Sequence, residues 1–235
     1  MIRLDKFLSE MGLGTRSEVK KLIKTGQIAI NGAVTAKPET KVDTDADEVS
    51  VNGRIVKYQR YEYYLFNKPS GCVSATCDNV HDTVMDYITD AVHDDLFPVG
   101  RLDIDTEGLL LITNDGALSH ELLSPSKHVA KTYYACIDGE VTWDDIIRFK
   151  EGIDIGEERP TKPAELVIKK SGSVSEIELT ITEGKFHQVK RMLASRGKPV
   201  VYLKRLGMGK LKLDPALPAG AWRPLTPEEL ADLGR

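Results

Sequence analysis

The sequence contains no apolar run long enough to cross a membrane, no low-complexity tract and no internal repeat. A helical span needs about 20 consecutive apolar residues, so no transmembrane helix is expected. Cysteine is scarce. Cys72, Cys77 and Cys136 are odd in number and lack the spacing of a metal site. With a start that carries no apolar signal segment, they point to a reducing cytoplasm and read as packing residues. A net positive charge is also missing, since the formal charge is −4. Taken alone, that argues against a nucleic-acid partner.

The charges segregate, however. From Lys185 to Lys212 the chain carries Lys185, Lys190, Arg191, Arg196, Lys198, Lys204, Arg205, Lys210 and Lys212 and no acidic residue. The N-terminal stretch adds Arg3, Lys6, Arg16, Lys20, Lys21 and Lys24, while acids collect at Asp43–Glu48, Asp94–Asp95 and Glu157–Glu158. Local basic faces of this kind match a phosphate backbone. As solvated surface they need no partner. Hydrophobic residues make up 41% of the chain, enough for a real core.

Residues 1–57 read as one small unit. Leu4, Phe7, Leu8 and Met11 recur at helical spacing, Gly12 and Gly14 break it, and Thr15 or Ser17 caps a second helix that buries Val19, Leu22 and Ile23. Two strand, Asn-Gly, strand patterns follow, at Asn31-Gly32 and Asn52-Gly53, where both turn positions favour positive φ. Residues 58–62 read as a polar linker. Residues 63–235 then alternate strands with helices: strands at Tyr63–Asn67, Leu109–Thr113, Lys131–Ile137 and Val174–Thr182, helices at Thr83–Ile88, Ala117–Leu123, Gln188–Arg196 and Thr226–Leu233. The whole is an α+β chain with a largely antiparallel second domain. No oligomer interface is evident, which fits a monomer.

The segment of most chemical interest runs from Phe97 to Gly108 and contains Arg101, Asp103, Asp105 and Glu107. Pro98, Gly100 and Gly108 shape it, and an apolar strand follows, a placement that suits a positioned carboxylate nucleophile. The alternating carboxylates also admit a metal. A calcium loop would need a later bidentate Glu, and Leu109–Ile112 is apolar instead. A third reading has Asp103 pairing with Arg101 and capping a turn, and spacing alone slightly favours it.

Resemblance reverses that order. Arg3-Leu4-Asp5-Lys6-Phe7-Leu8, Thr15-Arg16-Ser17-Glu18 and Gly26-Gln27-Ile28-Ala29-Ile30-Asn31-Gly32 resemble the S4 RNA-binding domain. The run Gly100-Arg101-Leu102-Asp103 through Asn114-Asp115-Gly116 resembles the signature of the RsuA branch of pseudouridine synthases. Phe66–Gly71, Lys131-Thr132-Tyr133 and Glu183–Leu193 resemble that family's other motifs. The resemblance implies isomerisation of a flipped uridine in ribosomal RNA, without metal or cofactor. It makes Asp103 the nucleophile, acting at C6, at C1′ or as a base that generates a glycal. It sets Lys190 beside Asp103, with Arg191 as the fallback, where a cation lowers a carboxylate pKa by roughly 1–3 units. Lys stands at position 190 where many relatives carry Arg, a point charge in place of a fork.

By the same resemblance Tyr133 stacks on the target base, and Arg101 fills the gap the base leaves or holds its phosphate. Arg3, Lys6, Arg16, Lys20, Lys21 and Lys24 form the S4 contact set. Lys68 and Lys131 read either as phosphate contacts or as structural. The stretch carrying Lys204 and Arg205 reads as a strand flanking the RNA groove, or as an edge strand protected by charge. Cys72–Thr76 and Thr83–Asp86 resemble the small-subunit branch more than the large-subunit ones. The alternatives are a large-subunit enzyme, a metal-dependent nuclease using Asp103, Asp105 and Glu107, or an assembly factor without chemistry.

Overall fold

The computed structural model describes residues 1–235, which form two compact units, Met1–Glu62 with Asp90–Leu96, and Tyr63–Thr89 with Phe97–Arg235. No helix is long and apolar enough to cross a membrane.

In the first unit, β1 (Ile2–Arg3), α1 (Leu4–Glu10), α2 (Arg16–Lys24), β2 (Ile28–Ile30), β3 (Ala33–Val34), β4 (Lys41–Val42), β5 (Val49–Val51) and β6 (Arg54–Val56) follow in order. Thr15 caps α2 in a reciprocal box with Glu18, which satisfies otherwise orphaned backbone N–H groups. Asn31 and Asn52 lie at φ 50° and 52° and their glycines at 78° and 77°, the backbone of tight hairpins. Leu4, Phe7, Leu8, Val19, Ile23 and Ile28 meet in its core. Residues 58–62, expected as a linker, pack into this unit. The Tyr58 ring lies 5.3 Å from that of Phe7, and its hydroxyl donates to Glu10 at 2.9 Å. Glu62 is buried and accepts from the amides of Val92 and His93. Polar composition concealed these pairings because the partners are far away in sequence.

The second unit is built on a 9-stranded sheet. Its strands are β7 (Tyr63–Lys68), β8 (Phe97–Pro98), β9 (Glu107–Thr113), β10 (Lys131–Asp138), β11 (Glu165–Lys170), β12 (Val174–Ile181), β13 (Val200–Met208), β14 (Leu211–Lys212) and β15 (Trp222–Pro224). The helices are α3 (Gly116–Leu123), α4 (Trp143–Glu151), α5 (Gln188–Ala194) and α6 (Pro227–Asp232). The main path runs β11-β12-β10-β13-β9-β7-β15, and only β13 with β9 is parallel. Residues 84–87 form one short 3-10 turn where a helix was expected. The helix α4 and strand β11 had no clear sequence signal. Strand β13 is interior, between β10 and β9, so the reading of an edge strand does not hold.

Two charged groups fix the segments that matter most here. Lys68, at the end of β7, has no exposed surface. Its ammonium donates to the carbonyls of Pro69 (3.0 Å), Asp103 (3.1 Å), Ile104 (3.3 Å) and Thr106 (3.0 Å). Burial pushes its pKa below the ordinary lysine value, opposed by the neighbouring Cys72, Asp105, Asp103 and Glu107. Lys68 is therefore the internal brace of the 103–106 turn, so that of its two expected readings the structural one holds and the phosphate contact is corrected. Its four-carbon stem stays in the interior because the strand residues around it are buried on both faces.

Asp145 is the second. Fully buried at the start of α4, it accepts from the Thr142 amide at 2.8 Å. It also takes Arg196 at 3.1 Å, and Lys198, so it ties α4 to the segment that leaves α5. Burial raises its pKa, but the bonds from Lys198, Thr142 and Arg196 outweigh that and leave it below the usual carboxylate range.

Replacing Lys68 by Met removes the ammonium donor from the Thr106 carbonyl and leaves the Pro69 carbonyl only the Cys72 thiol at 3.7 Å. It is expected to cost about 2 kcal/mol and to speed amide exchange across residues 100–108, read by denaturant titration and hydrogen exchange. Unchanged protection of that loop would contradict the bracing role. For Asp145 the sign follows from a depressed folded pKa. Its contribution is full above the unfolded value of about 3.9 and is lost as pH falls through the folded one. Asp145→Asn is expected to destabilise by about 3 kcal/mol at pH 7, with the gap to wild type closing in urea melts below about pH 4. A pH-independent gap would refute the ion-pair account.

Candidate active site

The turn that follows Arg101 is shaped from several directions. Thr106 N–H donates to the Asp103 carbonyl at 3.0 Å and closes the turn. Gly71 N–H reaches the Ile104 carbonyl at 2.7 Å. The buried Ser74 hydroxyl donates to the Leu102 carbonyl at 3.0 Å and accepts from the Leu102 amide at 3.1 Å. With Lys68 beneath, the backbone on either side of Asp103 is held, and only the side chain is left to act. Gly108 sits at φ 101°, and a Cβ there would lie 2.3 Å from the Arg205 carbonyl oxygen. Glycine is thus required where the loop enters β9 and meets β13.

Asp103, Arg101, Tyr133, Lys190, Lys131 and Arg205 line one cavity of about 940 Å³. That is within the roughly 300–1,000 Å³ of small-molecule sites. The Asp103 carboxylate is 28% exposed. One oxygen lies 3.2 Å from the Lys190 ammonium and the other 3.4 Å from His187 Nε2. Lys190 is held more closely by Asp105, at 2.6 Å. The hydrogen bond from Lys190 depresses the Asp105 pKa against the effect of burial. Burial works to lower the Lys190 ammonium, but its bonds to Asp105 and Asp103 outweigh it, so its pKa stands above the ordinary value. One fixed cation therefore serves two carboxylates. Glu107 is turned elsewhere and accepts from the Tyr202 hydroxyl at 2.7 Å.

The other expected residues divide. Arg101 is exposed at the cavity rim. Tyr133 is buried and faces the cavity from β10, paired across the ladder with Arg205. Tyr134 points the opposite way and donates to Glu176 at 2.8 Å. Arg191 does not approach Asp103. It binds Glu157 at 2.7 Å and the Phe186 carbonyl at 3.1 Å, because one residue along α5 turns it about 100° from Lys190. The fallback role for Arg191 is thereby corrected.

Arg205 is 2% exposed, with Nε donating to the Leu109 carbonyl at 2.8 Å and one guanidinium nitrogen unpartnered. It is part of the cavity wall and not a groove-surface contact, because it falls on the buried face of an interior strand. Lys131 is likewise buried and donates to the Val129 carbonyl at 3.1 Å. Burial, with Arg205 nearby, lowers its pKa. Lys204 is half-buried on the other face of β13.

In the first unit, Arg16, Lys20, Lys21 and Lys24 are exposed along α2. Arg3 pairs with Asp5 at 2.9 Å and Lys6 with Glu10 at 3.5 Å. His187 is a second neighbour of Asp103, for which no role beside the carboxylate was expected. Its signal was present in Lys185-Phe186-His187, which joins a cation and two rings just before a helix. Gln188 does order that loop, accepting from Lys185 N–H and donating to Glu183, each at 2.9 Å.

The chain matches the S4 domain over residues 2–49 and the RNA pseudouridylate synthase family over residues 62–195. A Bacillus subtilis protein described as an uncharacterized RNA pseudouridine synthase, YtzG, is 48% identical, covering 97% of each chain. The Escherichia coli ribosomal small subunit pseudouridine synthase A is 36% identical, over 99% of this chain and 100% of that one. A solved pseudouridylate synthase superimposes with a TM-score of 0.70 at 37% identity, over 99% of this chain and 100% of the other. Those matches, together with the cavity around Asp103, establish that the chain belongs to the RNA pseudouridylate synthase family and carries an S4 domain at its N-terminal end.

Proposed function

We propose that the chain acts as a single copy in the cytoplasm and isomerises one uridine of small-subunit ribosomal RNA to pseudouridine, with Asp103 as nucleophile. The observation that carries this reading is the Asp103 carboxylate, on a backbone held from below by Lys68 and set between Lys190 and His187 in a cavity that also holds Tyr133. The full-length likeness to small-subunit synthases supports the choice of RNA.

The chemistry is an internal exchange. The N1–C1′ bond breaks, a C5–C1′ bond forms, the C5 proton leaves and N1 takes up a proton. Nothing is oxidised or reduced, so a positioned carboxylate and neighbouring cations supply what the reaction needs. A uridine must leave its stack to reach the carboxylate, at a cost of a few kcal/mol. Tyr133 offers a face to the extruded ring, and Arg101 at the rim reaches the strand. Lys131 and Arg205 put positive charge into the cavity wall, where negative charge on a detached uracil would be stabilised.

The first unit supplies affinity. The exposed cations of α2 present a row of charge with the spacing of a helix face, suited to phosphates. In place of the expected limits 1–57 and 63–235, the functional division is proposed to follow the two units, Met1–Glu62 with Asp90–Leu96 for RNA binding and Tyr63–Thr89 with Phe97–Arg235 for catalysis.

Deleting the gene is expected to remove one pseudouridine from the small-subunit rRNA map. Wild-type protein restores it and Asp103→Asn does not, as read by carbodiimide primer extension or RNA mass mapping. An unchanged map would overturn the substrate, and restoration by Asp103→Asn would overturn the nucleophile. Replacing Arg16, Lys20 and Lys24 together by Gln is expected to weaken RNA binding and flatten its salt dependence by roughly 0.7–0.9 in log–log slope per lost phosphate contact. An unaltered slope would remove α2 from the interface.

A further inference from the structure

We infer that Phe186 is a stacking platform for the base next to the target uridine in the RNA strand. This rests on the reading of Asp103 as the reacting group. The Phe186 side chain is 74% exposed yet lines the same cavity as Asp103. A phenyl ring left in water forgoes most of the stabilisation its burial would bring, so packing does not account for it. Exposure alone does not mark a site, since Trp143 is 72% exposed at the start of α4 and does not line the cavity. What sets Phe186 apart is how it is held.

Its ring lies on the imidazole of His187, with centroids 3.8 Å apart and planes 20° from parallel. In extended backbone two consecutive side chains point to opposite sides. Here His187 adopts φ 48°, a left-handed conformation uncommon outside glycine, and this turn lays one ring on the other. Such a conformation persists where its surroundings over-determine it. The Gln188 side chain spans the loop from Lys185 to Glu183, and Arg191 donates to the Phe186 carbonyl. That clamp gives Arg191 a use distinct from pairing with Asp103.

The order outward from the nucleophile is therefore Asp103, then His187 with Nε2 at 3.4 Å, then the Phe186 ring. A flipped uridine inside the cavity remains joined through its phosphodiesters to neighbours at the mouth, and those neighbours have lost a stacking partner. An exposed aromatic face at that point recovers the lost stacking, and it does so for any base because every base has a π-face. The occupant is thus an RNA base, bound without sequence selection.

The test uses the full-length protein and a transcript of the small-subunit rRNA made with tritium at uridine C5, which is released when C5 bonds to C1′. Phe186→Ala is expected to raise KM about tenfold while kcat stays within about twofold. Phe186→Tyr and Phe186→Trp are expected to restore KM. Loss of kcat at unchanged KM would mean that the ring acts through His187 on Asp103, and would overturn the platform. An unchanged KM in Phe186→Ala, or failure of both aromatic variants to restore it, would overturn it as well. A thermal melt of Phe186→Ala matching wild type shows that the variant is folded.

Oligouridine added to F186W is expected to quench indole fluorescence beyond the wild-type signal from Trp143 and Trp222. No added quenching would count against stacking. Absence of tritium release by the wild type would instead refute the proposed substrate, and the quenching measurement would still decide the role of position 186.

Discussion

The structure of the site depends on one buried ammonium. Lys68 leaves the end of β7 and gathers the carbonyls of Pro69, Asp103, Ile104 and Thr106 around a charge that no solvent reaches. A charge in that position is costly unless its hydrogen bonds are satisfied. In the observed conformation the surrounding backbone satisfies them while the Asp103 side chain lines the cavity. The lysine thus converts a short polar loop into a rigid support. Asp103, Asp105 and Glu107 lie close enough to offset part of its charge. The carboxylates and the brace therefore stabilise one another without a direct ion pair.

A second cation works above the loop as Lys68 works below it. Lys190 reaches Asp103 and Asp105 from α5, and α5 is anchored near its far end where Arg196 and Lys198 meet the buried Asp145. The carboxylate and the cations above and below it thus come from three stretches distant in sequence: the end of β7, the loop before β9 and the first turn of α5. Each is tied by charge to something buried. An ordered carboxylate with a preorganised cation is what a reaction that moves a glycosidic bond within one nucleotide requires.

Much of this was legible in the sequence where the cause is local. A cap at Thr15 or Ser17 announced the second helix, where Thr15 proves to be the cap, and Asn31-Gly32 and Asn52-Gly53 announced their hairpins. Asp103 was legible only through the long motif around it, because a carboxylate between an arginine and a glycine also describes a turn cap. The misreadings have one physical origin. A sequence shows that a residue is basic but not which face of which strand it occupies. Arg205 read as a groove or edge cation and Lys68 as either a phosphate contact or structural, and both are buried because β7 and β13 lie inside the sheet. Arg191 read as a spare for Lys190 and points away, since adjacent residues on a helix do not share a face. The Lys185-Phe186-His187 cluster hinted at His187, but its closeness to Asp103 arises from a left-handed turn and from contact across the fold.

On the proposed function, the carboxylate braced by Lys68 is the group that reacts with the uridine. The most direct test is a crystal structure of the protein with an RNA carrying fluorine at C5 of the target uridine, which cannot leave as a proton. The expected result is a flipped nucleotide in the cavity with its ring against Tyr133. An Asp103 oxygen is expected to be bonded to, or within about 3.5 Å of, C6 or C1′. A nucleotide seated in the cavity with Asp103 separated from both carbons by water would contradict that role.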